Sequence, residues 1–290
     1  MVDLIVDGNS LYARCWYAIM AKPDGSPQDA VRAAITTVLT ILNVNNDKLG
    51  DKVDRTLFAW DGDNKRDKGR AAKPEQYHAT RTLLIDYLTF LFDTAHACCP
   101  AHEADDVVAT AVKQSDADTI YVASGDKDLQ QLAGGRVNYY CLNQKATMSL
   151  RAIRDRWGVK QPNQVALALA IIGDKTDCIA GIKGWGQKRV KKLFENVPDD
   201  ATLEEALLAV EEQIPARLRD AFYHDLDLTL LRNALPGVPP ARPIVLAPVD
   251  AVTELQLPNF MEFYRPVHRL YHGRVDAAGD EEDVPAEREY

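Results

Sequence analysis

Nine carboxylates gather in five short stretches of this 290-residue chain: Asp7; Asp61; Glu103, Asp105 and Asp106; Asp126 and Asp128; Asp174 and Asp177. Carboxylates brought together raise one another's pKa and repel, so a pocket shared by them requires positive charge. Hard divalent cations with oxygen ligands, such as Mg²⁺ or Mn²⁺, supply it. The chemistry that suits such a pocket is metal-dependent attack on a phosphate ester.

The first four stretches fall where a strand should end or a helix begin. Leu4-Ile5-Val6 is a short apolar run that stops at Asp7-Gly8, and Arg55 to Trp60 runs into Asp61-Gly62-Asp63. Thr119 to Ala123 reads as a third strand ending in Ser124-Gly125-Asp126, and Arg136 to Leu142 as a fourth. Residues 28–43 have helical periodicity through Val31, Ile35, Val38, Leu39 and Leu42; Leu83 to Phe92 reads as a buried helix, and 103–114 as one that opens with its acids. Strands alternating with helices predict an α/β fold, a mostly parallel central sheet flanked by helices. Ligand sites in such sheets form at the carboxyl ends of the strands. A single Asp there is ordinarily a turn or cap residue; repetition along one edge is what points to a site. Glu103 and Asp106, three apart, are expected to share a helix face, with Asp105 to one side.

The fifth stretch lies elsewhere. From about residue 150 to 235 the chain reads as mostly helical, and Gly173-Asp174-Lys175-Thr176-Asp177 is followed by Gly181-Ile182-Lys183-Gly184-Trp185-Gly186. Glycines let a backbone turn tightly and approach a ligand. The following residues carry Lys188, Arg189, Lys191 and Lys192 without an acid, a pattern suited to a nucleic-acid phosphate backbone. Residues 64–81 are also basic, with Lys65, Arg66, Lys68, Arg70, Lys73 and Arg81.

The net charge of −9 argues against nucleic acid until its distribution is considered. The last fifteen residues hold seven acids and one base, which leaves −3 on the rest; with the nine clustered acids neutralised, that body is +6. The acidic tail, 276–290, reads as a solvated, disordered segment that a partner could use. There is no run of 18 apolar residues, and the five cysteines have no CxxC spacing, so reduced thiols and a cytoplasmic location are expected. Five prolines between Pro236 and Pro248 break the helical pattern.

Taken in order, Val6-Asp7-Gly8-Asn9-Ser10-Leu11, Phe58-Ala59-Trp60-Asp61, Glu103-Ala104-Asp105-Asp106, Ser124-Gly125-Asp126-Lys127-Asp128 and Gly173 to Asp177 resemble the motifs of the flap endonuclease family. The likeness is to stand-alone phage-type 5′→3′ exonucleases and to the 5′-nuclease domain of bacterial family-A DNA polymerases, and it runs from residue 3 to about 195. It implies a PIN-like 5′-nuclease fold: a nuclease core over 1–148 with a helical arch at about 64–100, and a helical DNA-binding region over 149–235 with a helix–three-turn–helix at about 165–195. A C-terminal extension, 236–275, and the tail complete the chain. It also implies two Mg²⁺, with Mn²⁺ able to substitute. Asp7, Asp61, Glu103 and Asp105 would serve the first ion, Asp126, Asp128, Asp174 and Asp177 the second, and Asp106 would lie near both. A potassium ion at the helix–three-turn–helix belongs to the same expectation.

The implied activity is structure-specific hydrolysis of DNA at 5′ ends, flaps and single-strand/double-strand junctions, leaving 5′-phosphate and 3′-hydroxyl, by a monomer in bacterial or phage-infected cytoplasm. A replication protein is the partner envisaged for the tail. The family's arch motif is imperfect here: alignment on Gly69-Arg70 puts Asp67 where a lysine is expected. Lys68, Arg70 and Arg14 are the candidates for contact with the scissile phosphate; Lys65, Arg66, Lys73, Gly181, Lys183, Gly184, Gly186, Lys188, Arg189, Lys191 and Lys192 are the candidates for DNA backbone. Trp60, Tyr77 and Tyr87 are considered for base stacking. The competing readings are a PIN-like ribonuclease, a small-molecule phosphatase and a non-catalytic branched-DNA-binding protein.

Overall fold

The computed structural model describes residues 1–43, 49–63, 72–253 and 260–272. Lys65, Arg66, Lys68, Arg70 and the acidic tail lie outside the described residues. The chain begins with β1 (Val2–Asp7), α1 (Gly8–Met20), α2 (Pro27–Leu42) and β2 (Arg55–Asp61). Then come α3 (Glu75–Phe92), β3 (Ala95–Cys99), α4 (Ala104–Gln114), β4 (Thr119–Ser124), β5 (Val137–Cys141) and β6 (Ala146–Thr147). The second half holds α5 (Leu150–Trp157), α6 (Val165–Ile172), α7 (Gln187–Phe194), α8 (Leu203–Glu211) and α9 (Ala216–Thr229), then β7 (Arg242–Pro243), α10 (Val249–Thr253) and α11 (Phe260–His272).

The sheet runs β3-β2-β1-β4-β5-β6. Its first five strands are parallel; β6 pairs antiparallel with β5, and β7 antiparallel with β2. Parallel strands are covered on both faces, which explains the apolar runs Leu4–Val6 in β1 and Ile120–Ala123 in β4. One face packs α1, α2 and α3 in a core through Val6, Phe58, Leu84 and Leu88. The other packs α4 and the later helices through Ile5, Leu57, Val107 and Val122.

β3, sequence Ala-His-Ala-Cys-Cys, has no sequence signal because small residues carry little strand preference. α1 begins directly at Gly8, where the expected strand end also serves as a helix cap. The Asp7-Gly8 junction has a packing reason. A Cβ on Gly8 would stand 2.7 Å from the Trp60 indole, so only glycine lets β2 lie this close. Trp60 is therefore core, not a stacking platform. It is 3% exposed, lies parallel to His96 and donates Nε1–H to His96 Nδ1 at 2.9 Å. Burial holds the His96 pKa down to about 4, which keeps that nitrogen an acceptor.

The C-terminal segment returns to the first third of the chain. β7 pairs with the start of β2, Val245 N–H donates to Phe92 O at 3.2 Å, and Tyr271 O–H donates to Val53 O at 2.7 Å. α11 lies against α2, with Phe260, Tyr264 and Val267 buried.

Candidate metal-dependent active site

The carboxyl ends of β1, β2 and β4 open into a cleft of about 1020 Å³. Seven of the nine acids line it: Asp7, Asp61, Glu103, Asp105, Asp126, Asp174 and Asp177. Asp7 ends β1 and caps α1, accepting from Ser10 N at 2.9 Å and from Ser124 Oγ at 2.7 Å. The cap satisfies a helix N–H that would otherwise be orphaned, and the Ser124 bond ties β1 to β4. Asp61 accepts from Ala104 N at 3.0 Å, which pins the start of α4 to the end of β2. Asp126 accepts from Asp128 N at 3.0 Å in the turn after β4, and Tyr139 O–H donates to the Asp126 carbonyl at 2.6 Å.

The remaining two acids do not line the cleft. Asp128 is 2% exposed and lies under the cleft, with carboxylate oxygens of Asp128, Asp174 and Asp177 all within 4.8 Å of one another. Asp106 points elsewhere. Its Oδ1 accepts from Arg232 N at 2.8 Å and its Oδ2 stands 3.3 Å from His102 Nδ1, so it fastens α4 to the segment after α9. Glu103 and Asp106 part company for a local reason. Glu103 is the cap of α4, with extended backbone (φ −86°, ψ 162°), and the three-residue rule applies only inside a helix.

Electrostatics mark the cleft as short of positive charge. Burial, and then the charges of Asp126 and Asp61, push the Asp7 pKa up to about 7 against the pull of its hydrogen bonds. Asp105 is raised well above the ordinary range by burial, then by Asp126, Asp7, Glu103 and Asp128. Asp174 goes the other way. Burial opposes its charge, but Lys127 Nζ at 2.6 Å and Thr176 N at 2.9 Å outweigh burial and hold its pKa below the usual value. An all-oxygen donor set that is costly to ionise suits hard divalent cations.

Asp174 and Asp177 reach the cleft from the link between α6 and α7. Asp174 and Ile179 exchange backbone hydrogen bonds at 2.9 and 2.8 Å, closing a tight loop. Gly173 and Gly181 take positive φ (81° and 66°), and a Cβ on Gly181 would lie 2.5 Å from Gly173 N. Gly181 N donates to the buried Asp225 Oδ2 at 2.8 Å, so α9 holds the loop from behind.

The basic candidates divide by position. Lys73 lines the cleft, donates to the Tyr17 hydroxyl oxygen at 2.7 Å and lies 4.6 Å over that ring. Lys183, Lys188, Lys191 and Lys192 are exposed, as are Gly184 and Gly186. Arg189 is half-buried and covers the Trp185 ring at 4.6 Å. None of these α6–α7 residues lines the cleft. Arg14 is half-buried beside the Cys15 thiol and Tyr140, and it does not line the cleft either. Tyr77 lines the cleft with one edge while packing on Tyr12 and Trp16; Tyr87 packs on the core. The cleft also contains Arg81, Lys127, Asn143 and Arg156, which sequence reasoning did not select. Lys127, lodged between two acids, carried a visible signal; the others reach the cleft only through tertiary packing.

Comparison with known proteins places these features in a family. Residues 3–158 match the model of the 5′-3′ exonuclease N-terminal resolvase-like domain. The thermostable DNA polymerase I of Thermus aquaticus is 29% identical over 234 residues, 78% of this chain and 27% of that protein. DNA polymerase I of Pseudomonas aeruginosa is 26% identical over 228 residues, 74% of this chain and 24% of that protein. The chain thus spans about a quarter of the length of these polymerases. Among solved structures, T5 5′-exonuclease with bound zinc superposes with a TM-score of 0.60 at 18% identity, covering 93% of this chain and 99% of its own. The catalytic core of Rad2 with DNA substrate gives 0.57 at 15% identity, covering 91% and 92%. At those identities the likeness is one of fold.

Proposed function

The chain belongs to the flap endonuclease family of 5′-3′ exonucleases, and from that membership we propose that it hydrolyses DNA phosphodiesters at 5′ ends, flaps and junctions, leaving 5′-phosphate and 3′-hydroxyl ends. The observation that carries the reading is the convergence of seven acids from five separate stretches of the chain on one cleft.

Asp7, Asp61, Glu103 and Asp105 would hold one divalent ion; Asp126, Asp128, Asp174 and Asp177 would hold a second, Mg²⁺ with Mn²⁺ as a substitute. When bound, such ions neutralise phosphate charge and lower the pKa of coordinated water. The protein's own groups do the positioning. Ser10 and Ser124 fix the Asp7 carboxylate, Ala104 N fixes Asp61, and Thr176 N fixes Asp174. Lys73, Arg81 and Arg156 surround the cleft with cations that can meet phosphoryl oxygens. Lys65, Arg66, Lys68 and Arg70 remain arch candidates for the same task, and Arg14, which does not line the cleft, remains a candidate for the scissile phosphate.

Lys183, Lys188, Lys191 and Lys192, with the Gly181–Gly186 turns, form the surface offered to duplex backbone. Their contacts would be independent of sequence and sensitive to salt. A potassium ion at those turns, a monomeric state, a cytoplasmic setting and a replication partner for the tail belong to the same proposal.

The test is cleavage of 5′-end-labelled and 3′-end-labelled flap DNA with Mg²⁺ and with EDTA. Mg²⁺-dependent release of short 5′ fragments near the junction is expected. Tight flap binding without cleavage would overturn the catalytic reading and leave a branched-DNA-binding protein.

A further inference from the structure

The Asp128, Asp174 and Asp177 cluster already contains a cation of the protein's own. Lys127 Nζ lies 2.6 Å from Asp174 Oδ2. That oxygen belongs to one of three carboxylates gathered within 4.8 Å, and the Asp174 side chain is 5% exposed while that of Lys127 is 31% exposed. The ammonium thus reaches in from solvent on a flexible stem and rests on Asp174, the least buried of the three acids. Geometry makes it removable. Lys127 sits in the turn between β4 and the short helix that starts at Asp128, it lines the cleft, and it can swing outward without breaking any backbone hydrogen bond of the sheet.

We propose that Lys127 is a resident counter-ion of the second carboxylate group, exchanged for the divalent cation when the site loads. The proposal rests on the metal-dependent reading above. An ammonium is a compact point charge with three donors, so it can satisfy a carboxylate without imposing a ligand geometry. It keeps Asp174 ionised and correctly placed while the site awaits its ion, since an uncompensated buried carboxylate is costly. A monovalent ion offers Asp174 little more than the ammonium already gives. A divalent ion engages Asp128, Asp174 and Asp177 together and wins the exchange. Lys127 therefore acts as a threshold on loading that favours divalent over monovalent cations. It is a positioning residue, acting through Asp174.

The experiment compares Ca²⁺ binding by calorimetry in the full chain, in Lys127→Met and in Lys175→Met; Lys175 is exposed and adjoins Asp174 in sequence. Ca²⁺ reports binding without turnover, and the step belonging to this cluster is the one that Asp177→Asn removes. Loss of the competing ion pair is expected to tighten that step about two- to fivefold in Lys127→Met, the upper range of a partly exposed pair, against less than about twofold in Lys175→Met. The thermal midpoint of Lys127→Met should fall without cation and recover with saturating Ca²⁺. Reductive methylation of Lys127, followed by peptide mass analysis, should accelerate when Ca²⁺ is added to the unsubstituted protein. Unchanged or weaker Ca²⁺ binding in Lys127→Met, equal tightening in Lys175→Met, or slower methylation with Ca²⁺ would each overturn the exchange. Absence of Ca²⁺ binding to every protein would instead remove the cation site itself.

Discussion

Loading the cleft with a divalent cation should release protons, and the amount should follow the Asp7 carboxyl. Metal ligation needs a carboxylate, yet burial and neighbouring charge raise the Asp7 pKa to about 7. On that value Asp7 is about nine-tenths protonated at pH 6, half at pH 7 and a tenth at pH 8. Cation binding should therefore expel about 0.9, 0.5 and 0.1 proton from Asp7 at those pH values, with Asp105 adding to each because its pKa is raised in the same direction. Calorimetric titration of Ca²⁺ in two buffers of different ionisation enthalpy reads the number directly. The same linkage acts on stability. The folded pKa of Asp7 lies above its unfolded value of 3.8, so Asp7's own contribution to the stability of the cation-free protein is fully present below that value and is lost as pH rises through about 7. The slope is at most about 1.4 kcal/mol per pH unit for each proton involved, and saturating Ca²⁺ should flatten it. Heats independent of buffer at both pH 6 and pH 7 would refute the reasoning, because they would mean that these carboxyls are ionised before any cation arrives.

Four further outcomes separate architecture from chemistry. Asp106→Ala should lower stability by about 1–3 kcal/mol in chemical denaturation, with or without cation, since it leaves the Arg232 N–H without its acceptor; Asp177→Asn should preserve stability in the absence of cation and abolish a Ca²⁺-binding step and turnover. Lys188→Ala combined with Lys192→Ala should weaken flap-DNA binding and reduce the slope of log K against log salt by about 1.8, read by fluorescence anisotropy between 50 and 200 mM salt, as expected for about two lost phosphate contacts. Gly181→Ala should destabilise the protein by more than about 2 kcal/mol in denaturant melts, because its Cβ meets backbone atoms at 2.5 and 2.6 Å in a left-handed conformation.

The legible part of this fold is the part built from local pattern. β1, β2 and β4 are apolar runs that stop at acids, and α2 and α4 carry helical periodicity, so the sheet edge and its carboxylates are written in the order of residues alone. β3 is not, because Ala95 to Cys99 have no strand preference and are held in the sheet by pairing with β2. Asp106 and Asp128 show the limit within the site. Both are acids of the motifs, but the Arg232 amide draws one away from the cleft, and burial beneath it hides the other. Arg81, legible only as one of several basic residues in 64–81, and Arg156 were not selected for the opposite reason, since a basic side chain becomes a cleft residue only when α3 and α5 are packed in place.

The return of the C-terminal segment to β2 and α2 also has a temporal meaning. Tyr271 O–H closes on Val53 O across 218 residues, and Phe260 and Tyr264 fill the core beside α2. During synthesis that core face stays incomplete until α11 leaves the ribosome. Contacts of such long sequence separation slow folding and prolong exposure of apolar surface. The α1–α2–α3 face is thus where nascent chains should need a chaperone, because α11, translated more than 200 residues after β1, is what seals it.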